Sequence, residues 1–189
     1  MSNNVLKLLS ILSIDRSQFC YYIKVNYPTL INVRFKIKHS DIERISFVAD
    51  FFNISVDEFI EHDEILSSDI FNIFYDGAFQ RKIEFLKPLS LYKDKVLFDH
   101  FRTITGFTQK EAAQVFNMLL PVYKRFEVNS FNRNLAPSME VSNLIGISTD
   151  KLFSPLDMDD INSIRAIYDF GFKFNIDKYY NGKLKILSN

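Results

Sequence analysis

Histidine, cysteine and paired carboxylates are the side chains that most often support catalysis or bind a metal ion. The chain has three histidines, His39, His62 and His100. They lie far apart in the sequence, and none has a second histidine or a cysteine at the spacing of a metal site. The one cysteine, Cys20, falls on the apolar face of an amphipathic segment, which favours a small core residue over a nucleophile. The sequence also lacks a glycine-rich phosphate loop, so we expect no enzyme activity, no metal site and no cofactor.

The composition is that of a globular protein. Of the 189 residues 47% are apolar, which is enough for one substantial core or two small ones, and low-complexity tracts are absent. A single cysteine excludes an internal disulfide framework. The first residues form an amphipathic pattern instead of a signal peptide, and no apolar run reaches about 18 residues. We therefore expect a cytoplasmic protein with no membrane segment.

Two segments of the chain match each other at a distance of 93 residues. Residues 15–59 align with residues 108–152 without a gap. The aligned pairs include Ile23 and Phe116, Pro28 and Pro121, Val48 and Val141, and Ser55 and Ser148. Only five of the 45 positions are identical, so the match rests on apolar placement and turn residues held in register. The alternative is a coincidence between two helical segments.

Turn and cap residues predict five short helices in each repeat. In the second repeat the boundaries are set by Gly106, the capping box Thr108–Glu111, Pro121, Pro137, Gly146 and Ser148. In the first repeat the corresponding places are taken by Asp15, Pro28, Asp41, Asn53 and Ser55. The sequence therefore predicts an all-α fold built from two similar modules, residues 1–93 and 94–189.

This order of helices resembles the lambda-repressor-like (Cro/XRE-type) helix-turn-helix family. The residues that carry the resemblance are Gly106-Phe-Thr-Gln-Lys-Glu-Ala-Ala, the Lys124-Arg125-Phe126-Glu127 end of helix three and Ile145-Gly-Ile-Ser-Thr-Asp-Lys-Leu-Phe153. The resemblance covers the five-helix part of each repeat and leaves the tails outside it. The first copy departs from the pattern, because Asp15-Arg16 stands where the second has Thr108-Gln109.

The resemblance implies that helix three of each module lies in the major groove of double-stranded DNA, while helix two and the following loop hold phosphates. In the second module it assigns to DNA Gln109, Leu120, Val122, Lys124, Arg125 and Arg133. In the first module it assigns Arg16, Asn26, Tyr27, Thr29, Asn32, Lys36 and Lys38. Asparagine can read adenine, and the methyl groups of Thr29, Leu120 or Val122 suit a thymine methyl. We expect the first module to carry more of the sequence specificity and the second more of the non-specific affinity.

Formal net charge is zero, but the charges are unevenly distributed. Residues 15–40 hold five basic residues against one acid, and residues 41–64 hold eight acids against one base. The second repeat shows the same trend more weakly. Each module therefore carries its positive charge over helices two and three, where a DNA-binding module needs it. The alternative is that these charges only solvate exposed faces.

The tails outside the five-helix modules carry two further patterns. Asp69–Asp76 and Ile161–Asp169 each predict one more helix. After the second of these, apolar residues alternate over Phe172–Ile176, and Asn181-Gly182 precedes a Lys-Leu-Lys-Ile-Leu segment. Asn-Gly between alternating segments predicts a C-terminal β-hairpin.

Taken together, these features predict a sequence-specific, DNA-binding transcription regulator of the type used by phages and mobile elements. The alternative function is a protein–protein module derived from the helix-turn-helix fold, such as an antirepressor or an inhibitor of a host protein. Zero net charge, Leu119-Leu120 and the abundance of aromatic residues favour that alternative. The sequence leaves open whether the chain forms a homodimer and whether both modules bind DNA.

Overall fold

The computed structural model describes residues 4–28, 42–61, 68–91, 95–128 and 133–187. These residues form α-helices and short 3-10 helices and contain no β-strand, so the predicted all-α fold is confirmed. The chain divides into two compact units, Met1–Glu84 and Phe85–Asn189. Among the described helices, none combines the length and the hydropathy that a membrane span needs.

The first unit contains five described α-helices. They are α1 (Asn4–Ile11), α2 (Arg16–Tyr22), α3 (Ile42–Phe51), α4 (Val56–Glu61) and α5 (Ser68–Leu86). The second unit contains six. They are α6 (Phe101–Thr105), α7 (Gln109–Val115), α8 (Leu120–Val128), α9 (Leu135–Ile145), α10 (Thr149–Leu152) and α11 (Ile161–Leu187). Two 3-10 helices, Lys87–Leu91 and Leu97–His100, precede α6.

The predicted helix starts are made by side chains that bind exposed backbone amides. Asp15 accepts a hydrogen bond from the amide of Gln18 at the start of α2. At the start of α7, the Thr108 hydroxyl accepts from the amide of Glu111, and the Glu111 carboxylate accepts from the amide of Thr108. These bonds confirm the predicted capping box and the Asp15 cap, because each satisfies an amide that has no partner inside the helix.

Residues with left-handed backbone fall into three pairs, each 93 residues apart. The six described residues with positive φ are Ser13 and Gly106, Lys24 and Asn117, and Asn53 and Gly146. The first pair follows α1 and α6, the second pair follows α2 and α7, and the third pair follows α3 and α9. Since L-residues rarely adopt this conformation, its repetition at one spacing is backbone support for an internal repeat.

Buried phenylalanines form the centre of each unit. In the first unit, Phe19 meets Phe51 edge to face at 4.8 Å, and Phe52 meets Phe74 in the same way at 4.8 Å. In the second unit, Phe101 lies 5.0 Å from Phe116, and Phe98 lies 5.3 Å from Phe126. Such edge-to-face and tilted pairs are favoured by the charge distribution of the rings and add to the stabilisation from burial.

The predicted C-terminal hairpin is wrong, because residues 161–187 form one continuous helix, α11. Phe170 and Phe174, four residues apart, both pack against Phe107, at 6.4 Å and 4.7 Å. That spacing places them on one side of a helix, so contact with the module outweighs the alternating pattern and the Asn-Gly signal. The helix predicted over Asp69–Asp76 is likewise longer than expected and runs to Leu86 as α5.

A buried lysine on α5 makes the stability of the first unit depend on pH. Lys82 is buried and donates a hydrogen bond of 2.7 Å to the carbonyl of Ser13, just after α1. Burial lowers the pKa of Lys82 from 10.5 to about 8, although the nearby carboxylate of Asp15 opposes this change. The folded chain therefore releases this proton at lower pH than the unfolded chain does.

We expect Lys82 to increase the free energy of unfolding of the first unit as the pH rises from about 8 to 10.5. Over that interval the unfolded chain keeps the proton that the folded chain has lost, which gives a slope of up to about 1.4 kcal/mol per pH unit. The measurement is urea unfolding at several pH values for the wild type and Lys82→Met. Tyrosine titration contributes equally to both proteins, so it cancels from the difference between their slopes. Equal slopes in the two proteins would contradict the prediction.

Candidate nucleic-acid interface

Two short helices joined by a tight turn form the part of the second unit that the sequence assigned to DNA. α7 ends at Val115 and α8 begins at Leu120. Between them Asn117 has a φ of 50°, and the amide of Met118 closes the turn onto the carbonyl of Ala113 at 2.8 Å. Ala112 and Ala113 are buried on α7, and their small side chains leave space for a neighbouring helix. The turn and these alanines together set the path of α8.

The carboxylate of Glu127 joins three helices of the second unit. It pairs with Arg102 on α6 and accepts a 2.7 Å hydrogen bond from the amide of Gln109 on α7. The hydroxyl of Tyr123 lies 3.5 Å from the same carboxylate. Burial, followed by the charge of Glu127, raises the pKa of Tyr123 above its usual range, so the phenol stays protonated and can donate. Glu127 therefore fixes the C-terminal half of α8 against α6 and α7.

This network changes the interpretation of Gln109. The sequence placed its side chain near a phosphate, whereas the structure gives its amide a partner inside the protein. Gln109 is therefore a residue that positions α8. The sequence pattern identified Glu127 only as part of the end of helix three. Its position directly after Phe126, an apolar residue on the buried side of an amphipathic helix, is the sequence signal that could have revealed this role.

The opposite side of α8 is exposed. Tyr123 and Phe126 are buried, while Lys124 and Arg125 are exposed. Three apolar positions around α8 are also exposed, by 76% at Leu119, 50% at Val122 and 79% at Val128. Leu120 is half-buried. We call Leu119, Val122, Lys124 and Arg125 the outer face of α8.

The corresponding part of the first unit is described only in part. Its turn has the same construction, since Lys24 has a φ of 55° and the amide of Val25 binds the carbonyl of Cys20 at 3.1 Å. Asn26 and Tyr27 are exposed, and Arg16 donates a 3.2 Å hydrogen bond to the hydroxyl of Tyr27. The other four predicted DNA contacts of this unit, Thr29, Asn32, Lys36 and Lys38, lie outside the described residues.

Arg133 does not belong to an exposed surface. Its side chain is only 4% exposed and forms an ion pair with Asp99. The guanidinium lies over the rings of Phe98, Phe126 and Phe153 at 5.0, 5.6 and 5.3 Å. Its Nε also donates to the carbonyl of Phe126 at 2.9 Å. The assignment of Arg133 to DNA is therefore corrected, because the guanidinium is enclosed by the core and cannot reach a phosphate from this position.

The acids near α7 and α8 already have partners within the second unit. Burial opposes ionisation of Glu111, but hydrogen bonds from Lys178 and Thr108 hold its pKa below the usual range. Glu127 is paired with Arg102. With both carboxylates neutralised, the exposed cations Lys110, Lys124 and Arg125 determine the charge presented by these two helices.

No protein-family model, curated protein or solved structure matches this chain.

Cys20 and His100, whose residue types are common in catalytic and metal sites, are both buried. Burial, followed by the charge of Asp15, raises the pKa of the Cys20 thiol, so the reactive thiolate is disfavoured. This confirms the prediction that Cys20 is a core residue. His39 and His62 lie outside the described residues.

Proposed function

We propose that this chain is a sequence-specific DNA-binding regulator of transcription, in which α8 of the second unit enters the major groove. The observation that carries the proposal is the two-sided construction of α8. One side is anchored through Tyr123, Phe126 and Glu127, and the outer face offers Lys124 and Arg125 to solvent. A rigid helix that presents cations is what major-groove binding requires.

The turn between α7 and α8 supports the same proposal. Two helices joined by four residues, with a left-handed residue at the second of them, have the construction of a helix-turn-helix motif. The first unit repeats this turn 93 residues earlier. Two such motifs in one chain are suited to binding two half-sites on one DNA duplex. In the first unit, Asn26 and Tyr27 would contact the DNA.

Removing the two cations of the outer face should weaken DNA binding. We expect Lys124→Ala with Arg125→Ala to lower affinity for DNA by roughly 10- to 100-fold if Arg125 holds a guanine in the bidentate manner. The magnitude of the slope of log K against log salt should then decrease by about one, because Lys124 is the phosphate contact that is lost and each such contact contributes about 0.9. The measurement is fluorescence anisotropy with labelled duplex DNA at several salt concentrations.

The control for this double variant is Lys87→Ala with Lys95→Ala. Both lysines are exposed and lie outside α7 and α8, so the control removes the same charge from another part of the second unit. It should bind almost as well as the wild type. Equal losses in the two double variants, or no loss in either, would remove α8 from the DNA interface.

A protein-binding module is the second candidate function. The observation that favours it is the exposure of large apolar side chains in the second unit, including Leu119 and Val128 on either end of α8 and Leu135 at the start of α9. Large exposed apolar side chains of this kind can belong to a partner site. If the wild type fails to bind mixed-sequence DNA at low salt, this function replaces DNA binding.

A further inference from the structure

The first turn of α8 presents an unusual surface for a helix that reads DNA. The exposed side chains there are Leu119, which directly precedes the helix, Pro121 and Val122, and Tyr123 is buried. The donors and acceptors that usually discriminate base edges are absent from this described turn. At the position 93 residues earlier than Leu119, the first unit instead exposes Asn26. The two modules therefore present different chemistry at the same place.

The major groove offers one apolar group for such a surface to contact. Guanine, adenine and cytosine present hydrogen-bond donors and acceptors there, whereas thymine also presents its C5-methyl group. A leucine and a valine cannot satisfy the polar edges, but they can bury a methyl group. Placing them against thymine therefore buries a methyl group, whereas any other base would offer them only polar atoms.

The charges around this surface favour DNA over a protein partner. Arg125 is exposed three residues after Val122, on the same side of the helix, and the adjacent Lys124 is exposed as well. The nearby acids, Glu111 and Glu127, are held by Lys178 and Arg102. The surface thus combines apolar side chains with two cations that have no ion-pair partner among the described residues, which matches a polyanion that carries methyl groups.

We propose that Leu119 and Val122 recognise thymine methyl groups, so that the second unit selects thymine-bearing major-groove sites. This inference rests on the proposed DNA-binding function. It assigns sequence selection to apolar contacts in the second unit, in addition to any reading by Asn26 in the first.

The test uses the full chain and a duplex that it selects from a random pool of double-stranded DNA. In a second synthesis of that duplex, deoxyuridine replaces thymidine, which removes the methyl groups and keeps the base-pairing groups. We expect affinity to fall about fourfold for each methyl that meets one of the two side chains, since a buried group of this size contributes about 0.8 kcal/mol. Competition anisotropy measures the ratio of the two affinities.

Leu119→Ala with Val122→Ala should bring this ratio close to one, and Val128→Ala should leave it at the wild-type value. Val128 is a sound control because it is also apolar and exposed, and it lies at the far end of the same helix. Binding that depends on salt but not on the methyl groups overturns this inference and leaves the proposed function standing. A methyl effect that survives in the double variant also overturns it. Failure of the wild type to bind any duplex overturns both.

Discussion

Replacing Gly77 with alanine should destabilise the first unit by more than about 3 kcal/mol, even though alanine is the better helix former. A Cβ atom at this position would lie 1.8 Å from the carbonyl oxygen of Phe52 and 2.4 Å from its carbonyl carbon. Both are backbone atoms and cannot move aside as a flexible side chain does. The overlap must shift the whole of α5 away from Phe52, which outweighs the gain of about 1 kcal/mol in helix propensity.

Gly171→Ala is the matched variant in the second unit and should cost less. Its Cβ would meet the Cβ, Cα and Cγ2 atoms of Thr105 at 2.7, 2.8 and 2.9 Å, so the required shift is smaller. Hydrogen exchange followed by mass spectrometry reports opening of the two units separately, and urea unfolding gives the total effect. Gly77→Ala should speed exchange in residues 4–86 and spare residues 101–178. A Gly77→Ala protein as stable as the wild type would show that α5 does not pack closely on Phe52.

The turn and cap residues were the part of the fold that could be predicted from the sequence. Thr108 with Glu111, Asp15 and Gly146 act through local hydrogen bonds or local backbone conformation, so their effect is readable within a few residues. Ser13 and Lys24 were harder, because neither residue type signals a left-handed backbone. Their conformation follows from their places in a repeated turn and not from their own side chains.

The low identity of the two repeats has a physical explanation in their cores. At four buried pairs 93 residues apart the second unit has phenylalanine and the first an aliphatic residue. These pairs are Val5 and Phe98, Leu8 and Phe101, Ile14 and Phe107, and Ile23 and Phe116. At three others the relation is reversed, namely Phe19 and Ala112, Phe52 and Ile145, and Phe74 and Ile167. A core that keeps its pattern and total volume tolerates such exchanges, so burial is kept in register while identity is lost.

The errors in prediction came from contacts between residues distant in sequence. Residues 172–187 look like alternating strands when read locally, but Phe174 packs on Phe107 from a helix. Arg133 looks like a solvated cation in a basic segment, yet its partner Asp99 lies 34 positions earlier. The orientation of the Gln109 amide toward Glu127 is another contact of this kind. Residue type and spacing alone do not reveal such pairings.

Breaking the ion pair between Asp99 and Arg133 should strongly destabilise the second unit. The side chain of Asp99 is 9% exposed and that of Arg133 is 4% exposed, so neither charge can be stabilised by water if its partner is removed. Asp99 also accepts a hydrogen bond of 2.9 Å from the amide of Val96. We expect Asp99→Asn, which keeps the shape but removes the charge, to cost about 3–5 kcal/mol of unfolding free energy.

Arg133→Met removes the other charge and should also be strongly destabilising, because the Asp99 carboxylate is then buried without its cation. The double variant Asp99→Asn with Arg133→Met should be more stable than the sum of the single losses predicts, by about 1–3 kcal/mol, since no isolated buried charge remains. Urea unfolding of the four proteins completes this double-mutant cycle. Strict additivity would show that the two charges do not interact across the core.

The same double variant tests whether Arg133 has any part in binding DNA. Measured where both proteins are folded, its affinity for DNA and its salt slope should equal those of the wild type, because a guanidinium enclosed by Phe98, Phe126 and Phe153 contributes no phosphate contact. Lys124→Ala in the same assay should reduce the slope by about one. A reduced slope in the Asp99→Asn, Arg133→Met protein would return Arg133 to the interface and require the segment around it to open when DNA binds.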